Sequence, residues 1–249
     1  MRKRSKTKFF ISLFFIPVIL TAAVIIFFYA NGYILLIPSA VLSETRADFD
    51  GRGERTVIIR RALFQFGGPP GCDYGDRLFI FESLPERPFG LYKYEYKIPM
   101  NESKPLKLMS GDINGDGAPE LSVVVYKKVM FDPVMKKRPF FFNLRGGDLF
   151  PVWLGSRFAR PFEDYILWDD GSGELRPLAL EYSDGGMTLA LYEWDGFGFA
   201  LIARSDTYGE IKFARSYTPG IIEAEDCRGG FFLLYYDGSD KLIGSDDRY

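Results

Sequence analysis

At 249 residues, with 47% apolar and 17% aromatic content, the chain can bury one large core or two small ones, and global disorder is excluded. It contains no histidine, which removes His-ligated zinc, Ser-His-Asp and Cys-His catalysis, and the commonest general base near neutral pH. The formal net charge is −2, and nucleic acid is not expected as a partner, because phosphate binding needs clustered Lys and Arg.

The N-terminus reads "MRKRSKTKFFISLFFIPVILTAAVIIFFYANG". A basic tail, residues 1–8, carries Arg2, Lys3, Arg4, Lys6 and Lys8. An uncharged apolar run follows over 9–30. As a helix those residues span about 33 Å, enough for a bilayer core, and Pro17 only kinks such a helix. The pattern predicts a transmembrane signal-anchor, with the N-terminus cytoplasmic and the main domain extracytoplasmic. A cleaved signal peptide is the alternative, but its apolar region is shorter and ends in small residues, where this chain has Phe28 and Tyr29. Beyond residue 30 the chain holds 26 basic and 33 acidic residues, a net of about −7.

Residues 31–47 read either as a linker or as a strand that closes the array from the other end. From residue 48 to 249 the text repeats. "DFDGRGERTVII", "SGDINGDGAPEL", "WDDGSGELRPLAL" and "EAEDCRGGFFLLYY" each place Asp or Asn three residues before Gly, ahead of an apolar run. The pairs are Asp50 with Gly53, Asn114 with Gly117, Asp170 with Gly173 and Asp226 with Gly229, the glycines 64, 56 and 56 residues apart. Between them lie short runs such as "RTVIIRR", "ELSVVVYK", "RPFFFNL" and "TLALYEW", β-branched and aromatic, bounded by Gly, Asp, Asn or Pro. The expected fold is all-β: a propeller-like array of about four small antiparallel sheets, preceded by the transmembrane helix.

The stretch "GDINGDGAPEL" sets Asp112, Asn114, Asp116 and Glu120 at loop positions 1, 3, 5 and 9, with the Ala118 carbonyl at position 7. Such an oxygen-only set suits calcium, and Gly115 and Gly117 permit the turn. An EF-hand is excluded, because position 12 is Val123 and a strand-like run follows. The stretch resembles the FG-GAP and VCBS-type repeats of integrin-alpha-like β-propellers, in which this loop joins two strands and binds calcium. That resemblance implies one Ca2+ site, with Asp112, Asn114, Asp116, the Ala118 carbonyl and Glu120 as ligands. The other repeats depart from it: Arg52, Ser172 and Arg228 stand where Asp116 does.

The segment "KKVMFDPVMKKRPFF" is a basic hairpin extension, or a surface for anionic headgroups or cell-wall polymers. Trp153, Trp168 and Trp194 pack between sheets or form a sugar-stacking surface. Cys72 and Cys227 either pair across 155 residues, as an extracytoplasmic setting permits, or stay separate thiols. No catalysis is expected. Asp164, Glu181, Glu193, Asp195 and Glu225 are carboxylates a hydrolase could use, but no motif selects among them. The chain therefore reads as a membrane-anchored, calcium-stabilised binding or scaffold module for a protein or surface-glycan partner. The alternative is a carboxylate-based, glycosidase-like hydrolase on the same scaffold.

Overall fold

The structure, a computed structural model, describes residues 4–85, 89–171 and 174–244, with side chains from residue 16 onward except those of 213 and 217. A helix, α1, covers Arg4–Ala30. It ends where the Asn31 N–H bonds the Phe27 carbonyl and Gly32 takes φ +81°, a left-handed conformation that glycine adopts without strain. Among the described residues no helix is long and apolar enough to cross a membrane. This corrects the expected signal-anchor over 9–30, and with it the single-pass placement. Residues 1–3 of the basic tail lie outside the described residues.

The rest is strand. β1, Tyr33–Leu36, precedes the first sheet, whose strands β2 (Val41–Ala47), β3 (Arg55–Arg61) and β4 (Gly75–Phe81) follow in order. β5, Gly90–Lys93, turns back to pair with β1, and β6, Tyr96–Pro99, completes the sheet as β2-β3-β4-β6. The second sheet is β7 (Pro105–Gly111), β8 (Glu120–Val129), β9 (Asp132–Arg145) and β10 (Asp148–Leu154). The third is β11 (Phe162–Asp169), β12 (Leu175–Ser183), β13 (Gly186–Trp194) and β14 (Phe199–Arg204). The fourth is β15 (Ile211–Thr218), β16 (Ile221–Asp226), β17 (Phe231–Tyr236) and β18 (Leu242–Gly244). Each sheet is an antiparallel meander of four strands, so this is a four-bladed, propeller-like all-β fold.

Side chains alternate between the two faces of a strand, and here each face meets a different neighbour. Leu121, Val123 and Val125 of β8 point into the cluster shared with Val57, Ile59, Leu78 and Ile80 of the first blade. Val124, between them, joins Phe141, Tyr165, Ala179 and Tyr192 at the second blade-to-blade interface. Leu178 and Leu180 of β12 face the fourth blade with Ile222, Ala224 and Leu234. Strands buried on both faces need apolar residues at consecutive positions, hence runs such as "ELSVVV". The far face of the first blade is covered by the β1–β5 ribbon, where Ile34 and Leu36 pack on Ile58, Phe79 and Phe81.

The first strands of the blades meet through polar side chains. Ser43 Oγ accepts the Leu108 N–H at 2.9 Å, and Thr45 and Ser110 hydroxyls pair at 2.7 Å, tying β2 to β7. Lys107 Nζ donates to both Asp164 oxygens and to the Tyr165 carbonyl at 2.8–2.9 Å, tying β7 to β11.

The basic segment 127–138 is the extended β8–β9 hairpin, its tip residues Met130 and Phe131 exposed. Arg138, buried, staples it by donating to the Lys127, Asp132, Val134 and Ser156 carbonyls and to Asp132 Oδ2. That guanidinium, with Lys136 beside it, holds the Asp132 carboxyl down at about 2 against the usual 3.8. The folded state thus binds the Asp132 proton more weakly than the unfolded state. Its stabilising contribution is complete above pH 4 and is lost as pH falls from about 4 toward 2. Melting followed against pH should show Asp132→Asn with a flatter acid limb than the parent; identical limbs would refute this.

Candidate functional site

β7 runs up to Gly111, where a Cβ would overlap Leu175 Cδ1 of the third blade and that leucine would have to shift. The chain then turns on Asp112. Its Oδ1 accepts the N–H groups of Asn114 (3.3 Å) and Gly115 (2.7 Å), and its Oδ2 accepts that of Gly117 (2.8 Å). Asn114 Oδ1 accepts the Asp116 N–H at 2.9 Å, and Asp116 Oδ1 accepts the Ala118 N–H at 2.9 Å. Gly115 and Gly117 sit at φ +72° and +85°, as the tight turn demands.

Glu120, the first residue of β8, is fully buried. Its Oε2 accepts the Ile113 N–H at 3.1 Å, and its Oε1 accepts Asn114 Nδ2 at 2.9 Å. Burial pushes its carboxyl up to about 6; the Ile113 N–H opposes this, and the negative charges of Asp116 and Asp112 add to it. Asn114 Nδ2 also reaches Asp116 Oδ2 at 3.4 Å. The turn therefore brings Asp116 and Glu120 together on one amide, while Asp112 is committed to backbone N–H groups. Among the described residues no group of three or more His, Cys, Asp or Glu is placed to hold a metal ion.

One wall of an adjoining cavity, of about 190 Å³, is made by Ile113, Asn114 and Gly115. The other comes from the third blade: Glu174, Leu175 and Arg176 of β12 and its approach, and Glu193 and Trp194 at the end of β13. Arg176 organises that wall, its Nη2 donating to Glu193 Oε1 at 2.8 Å and Glu174 Oε2 at 3.1 Å, with Asp170 on Nη1. Its Nε is buried with no partner among the described residues. Trp194 is half-buried, edge-on to Phe199 at 5.2 Å.

A larger cavity, about 370 Å³, opens where three blades meet, between Pro69, Pro70 and Cys72, the hairpin residues Lys136 and Lys137, and Glu163 and Tyr182. Glu163 accepts Lys137 Nζ at 2.6 Å and the Tyr182 hydroxyl. Burial, then the bonded Glu163 carboxylate, lifts the Tyr182 phenol to about 12.

The carboxylates singled out in the sequence are dispersed. Asp164 pairs with Lys107 and Glu225 with Lys212, while Asp195 caps its own turn through the Phe197 and Gly198 N–H groups. Glu181 is fully buried, accepting from Arg204 (2.7 Å), Tyr192 OH (2.5 Å) and the Arg160 N–H (3.0 Å). Only Glu193 reaches a cavity of those described above, and its neighbours Arg176 and Glu174 were not legible as a site. Of the tryptophans, Trp168 is fully buried between the third and fourth blades and Trp153 packs on Phe158 at 5.9 Å. Cys72 and Cys227 are free and exposed, so no bridge joins them here.

The remaining repeat turns differ as their sequences suggested. Arg52 Nε lies 3.8 Å from Asp50, a cation where Asp116 stands in the second. Gly173 lies outside the described residues. The Asp226–Gly229 turn joins β16 to β17, the second and third strands of its blade, whereas the Asp112 turn joins first to second.

In comparisons with known proteins, no family profile and no curated protein matches the chain. Among solved structures it is similar to a putative 6-phosphogluconolactonase from Bacteroides uniformis, at 11% identity and TM-score 0.46, over 81% of this chain and 52% of that one. A putative 6-phosphogluconolactonase from Bacteroides fragilis matches at 10% identity and TM-score 0.39, over 80% and 68%. A humanized mutant of the Chaetomium thermophilum Polycomb Repressive Complex 2, bound to the inhibitor GSK343, matches at 7% and 0.40, over 87% and 55%. The chain thus spans about half the length of the first of these. Two of the three names are those of enzymes, against the expectation of a chain without catalysis. At these TM-scores the likeness carries nothing about a reaction.

Proposed function

We propose that the chain is a calcium-stabilised binding module, its second repeat of FG-GAP type, whose ligand enters the cavity beside the calcium turn. Asp112, Asn114, Asp116, the Ala118 carbonyl and Glu120 would hold the ion. One observation carries this reading: Glu120 is buried beside two further carboxylates, and its own bonds go to the uncharged Ile113 N–H and Asn114 amide. Three carboxylates in one turn repel one another, and a divalent cation relieves that repulsion. Asn114 now offers Nδ2 to Asp116 and Glu120; an amide nitrogen cannot ligate a cation, so metal binding requires the amide to present Oδ1 instead. Because Asn114 and Gly115 also line the cavity, fixing the turn fixes one wall of the ligand site.

Calcium should raise the melting temperature of the full chain, worth about 2.7 kcal/mol at a hundred times its dissociation constant. Asp112→Asn and Glu120→Gln should each remove most of that shift. An unchanged melting curve with and without calcium would refute the metal reading.

A hydrolase is the second reading. It is favoured by Glu174 and Glu193 converging on Arg176 Nη2, which places two carboxylates in one cavity. Against it, each already accepts a charge-assisted hydrogen bond from that guanidinium, and a general acid must carry a proton to give. Turnover of a glycoside that Glu193→Gln abolishes would establish it.

A further inference from the structure

We infer that the cavity between Asn114 and Trp194 is a saccharide subsite that takes one sugar ring; this rests on reading the chain as a binding module. The chemistry of the lining selects the ligand. Glu174 and Glu193 present carboxylate oxygens and Arg176 its guanidinium, all around about 190 Å³. An anionic ligand would meet two carboxylates. A second cation would compete with a guanidinium already bonded to both of them. An apolar ligand would dehydrate three polar groups and return no hydrogen bonds.

A sugar avoids all three penalties. Each hydroxyl both donates and accepts, so one ring can give hydrogen bonds to the carboxylates and accept them from the guanidinium. The C–H face of a pyranose matches the apolar face of Trp194, held in orientation by its edge contact with Phe199. Trp153 and Trp168 are spent on packing within and between blades; Trp194 alone of the three lines this cavity.

The volume of the cavity limits the subsite to a single ring, and the rest of a longer glycan would project into solvent. The larger cavity near Cys72 lacks this pattern, because among the described residues no tryptophan lines it.

The test is binding of the labelled full chain to an array of mono- and oligosaccharides, followed by calorimetric titration with the methyl glycoside of the best-bound terminal sugar. Trp194→Ala should weaken that titration by roughly tenfold or more, and Glu174→Gln, at an exposed side chain, should weaken it as well with a melting temperature close to the parent's. Absence of binding to every sugar by the folded parent overturns the inference. So does binding that neither substitution alters. Binding that persists in chelator yet still depends on Trp194 upholds the saccharide subsite while overturning the calcium reading. Cleavage of the bound sugar with the same dependence also upholds the ligand class, and moves the chain from binding to hydrolysis.

Discussion

Glu181→Ala should destabilise the fold by about 3–5 kcal/mol, the usual cost of removing one partner from a buried ion pair. Glu181 is fully buried on β12 and serves three donors at once: Arg204 at the end of β14, the Tyr192 hydroxyl on β13, and the Arg160 N–H in the loop before β11. Alanine leaves all three without their acceptor and the guanidinium without its counter-charge. The effect also reaches further. Tyr192 OH accepts the Ala159 N–H at 2.9 Å, and its ring stacks on Phe158 at 4.7 Å. The carboxylate therefore fixes a loop that plugs the interface between the second and third blades. Urea unfolding measures the loss. Glu181→Gln should recover part of it, by keeping two acceptors' worth of shape and one oxygen. A loss below about 1 kcal/mol for alanine would mean that water replaces the carboxylate and that the network does not order the loop.

Phe141→Ala should cost a comparable amount, about 3–5 kcal/mol, through lost apolar burial and the cavity left behind. Phe141 is fully buried on β9, with Phe199 at 4.8 Å, Tyr165 at 6.1 Å and Trp153 at 6.2 Å between ring centroids. Its neighbours come from two blades, so the gap cannot be filled by movement within one sheet. Phe131→Ala is the control, because Phe131 is 92% exposed at the hairpin tip and should change stability by less than about 0.5 kcal/mol. Equal effects at the two positions would refute the packing assigned to the interface. Loss of cooperativity on Phe141→Ala would show as separate unfolding steps by fluorescence and circular dichroism.

Much of the architecture is legible from local text. "RTVIIRR", "ELSVVVYK" and "TLALYEW" are strands because their β-branched and aromatic residues suit a pleated surface, and their unbroken apolar runs suit burial on both faces. The first strands of the first three blades are far less legible. Val41–Ala47, Pro105–Gly111 and Phe162–Asp169 carry Ser43, Thr45, Lys107, Ser110 and Asp164, which break up the apolar pattern. Their polar groups are satisfied by the neighbouring blade, and nothing in the local sequence names that neighbour. Likewise, the even spacing of four Asp–Gly pairs suggested four equivalent turns, yet the fourth lies one strand later in its blade. Spacing counts residues; it does not say which strands a turn connects.

What the sequence determined by itself is the Asp112–Glu120 turn, because every hydrogen bond that shapes it closes within seven residues, and such short-range geometry is written in the residues themselves. What only the tertiary structure decided is the cavity beside that turn. Glu174, Glu193 and Trp194 lie 60 to 80 residues beyond Asn114, and they meet it because the third blade stacks on the second at the face where Gly111 admits Leu175. Convergence over that distance depends on how sheets pack, a property of the assembled interfaces and of no single stretch of chain.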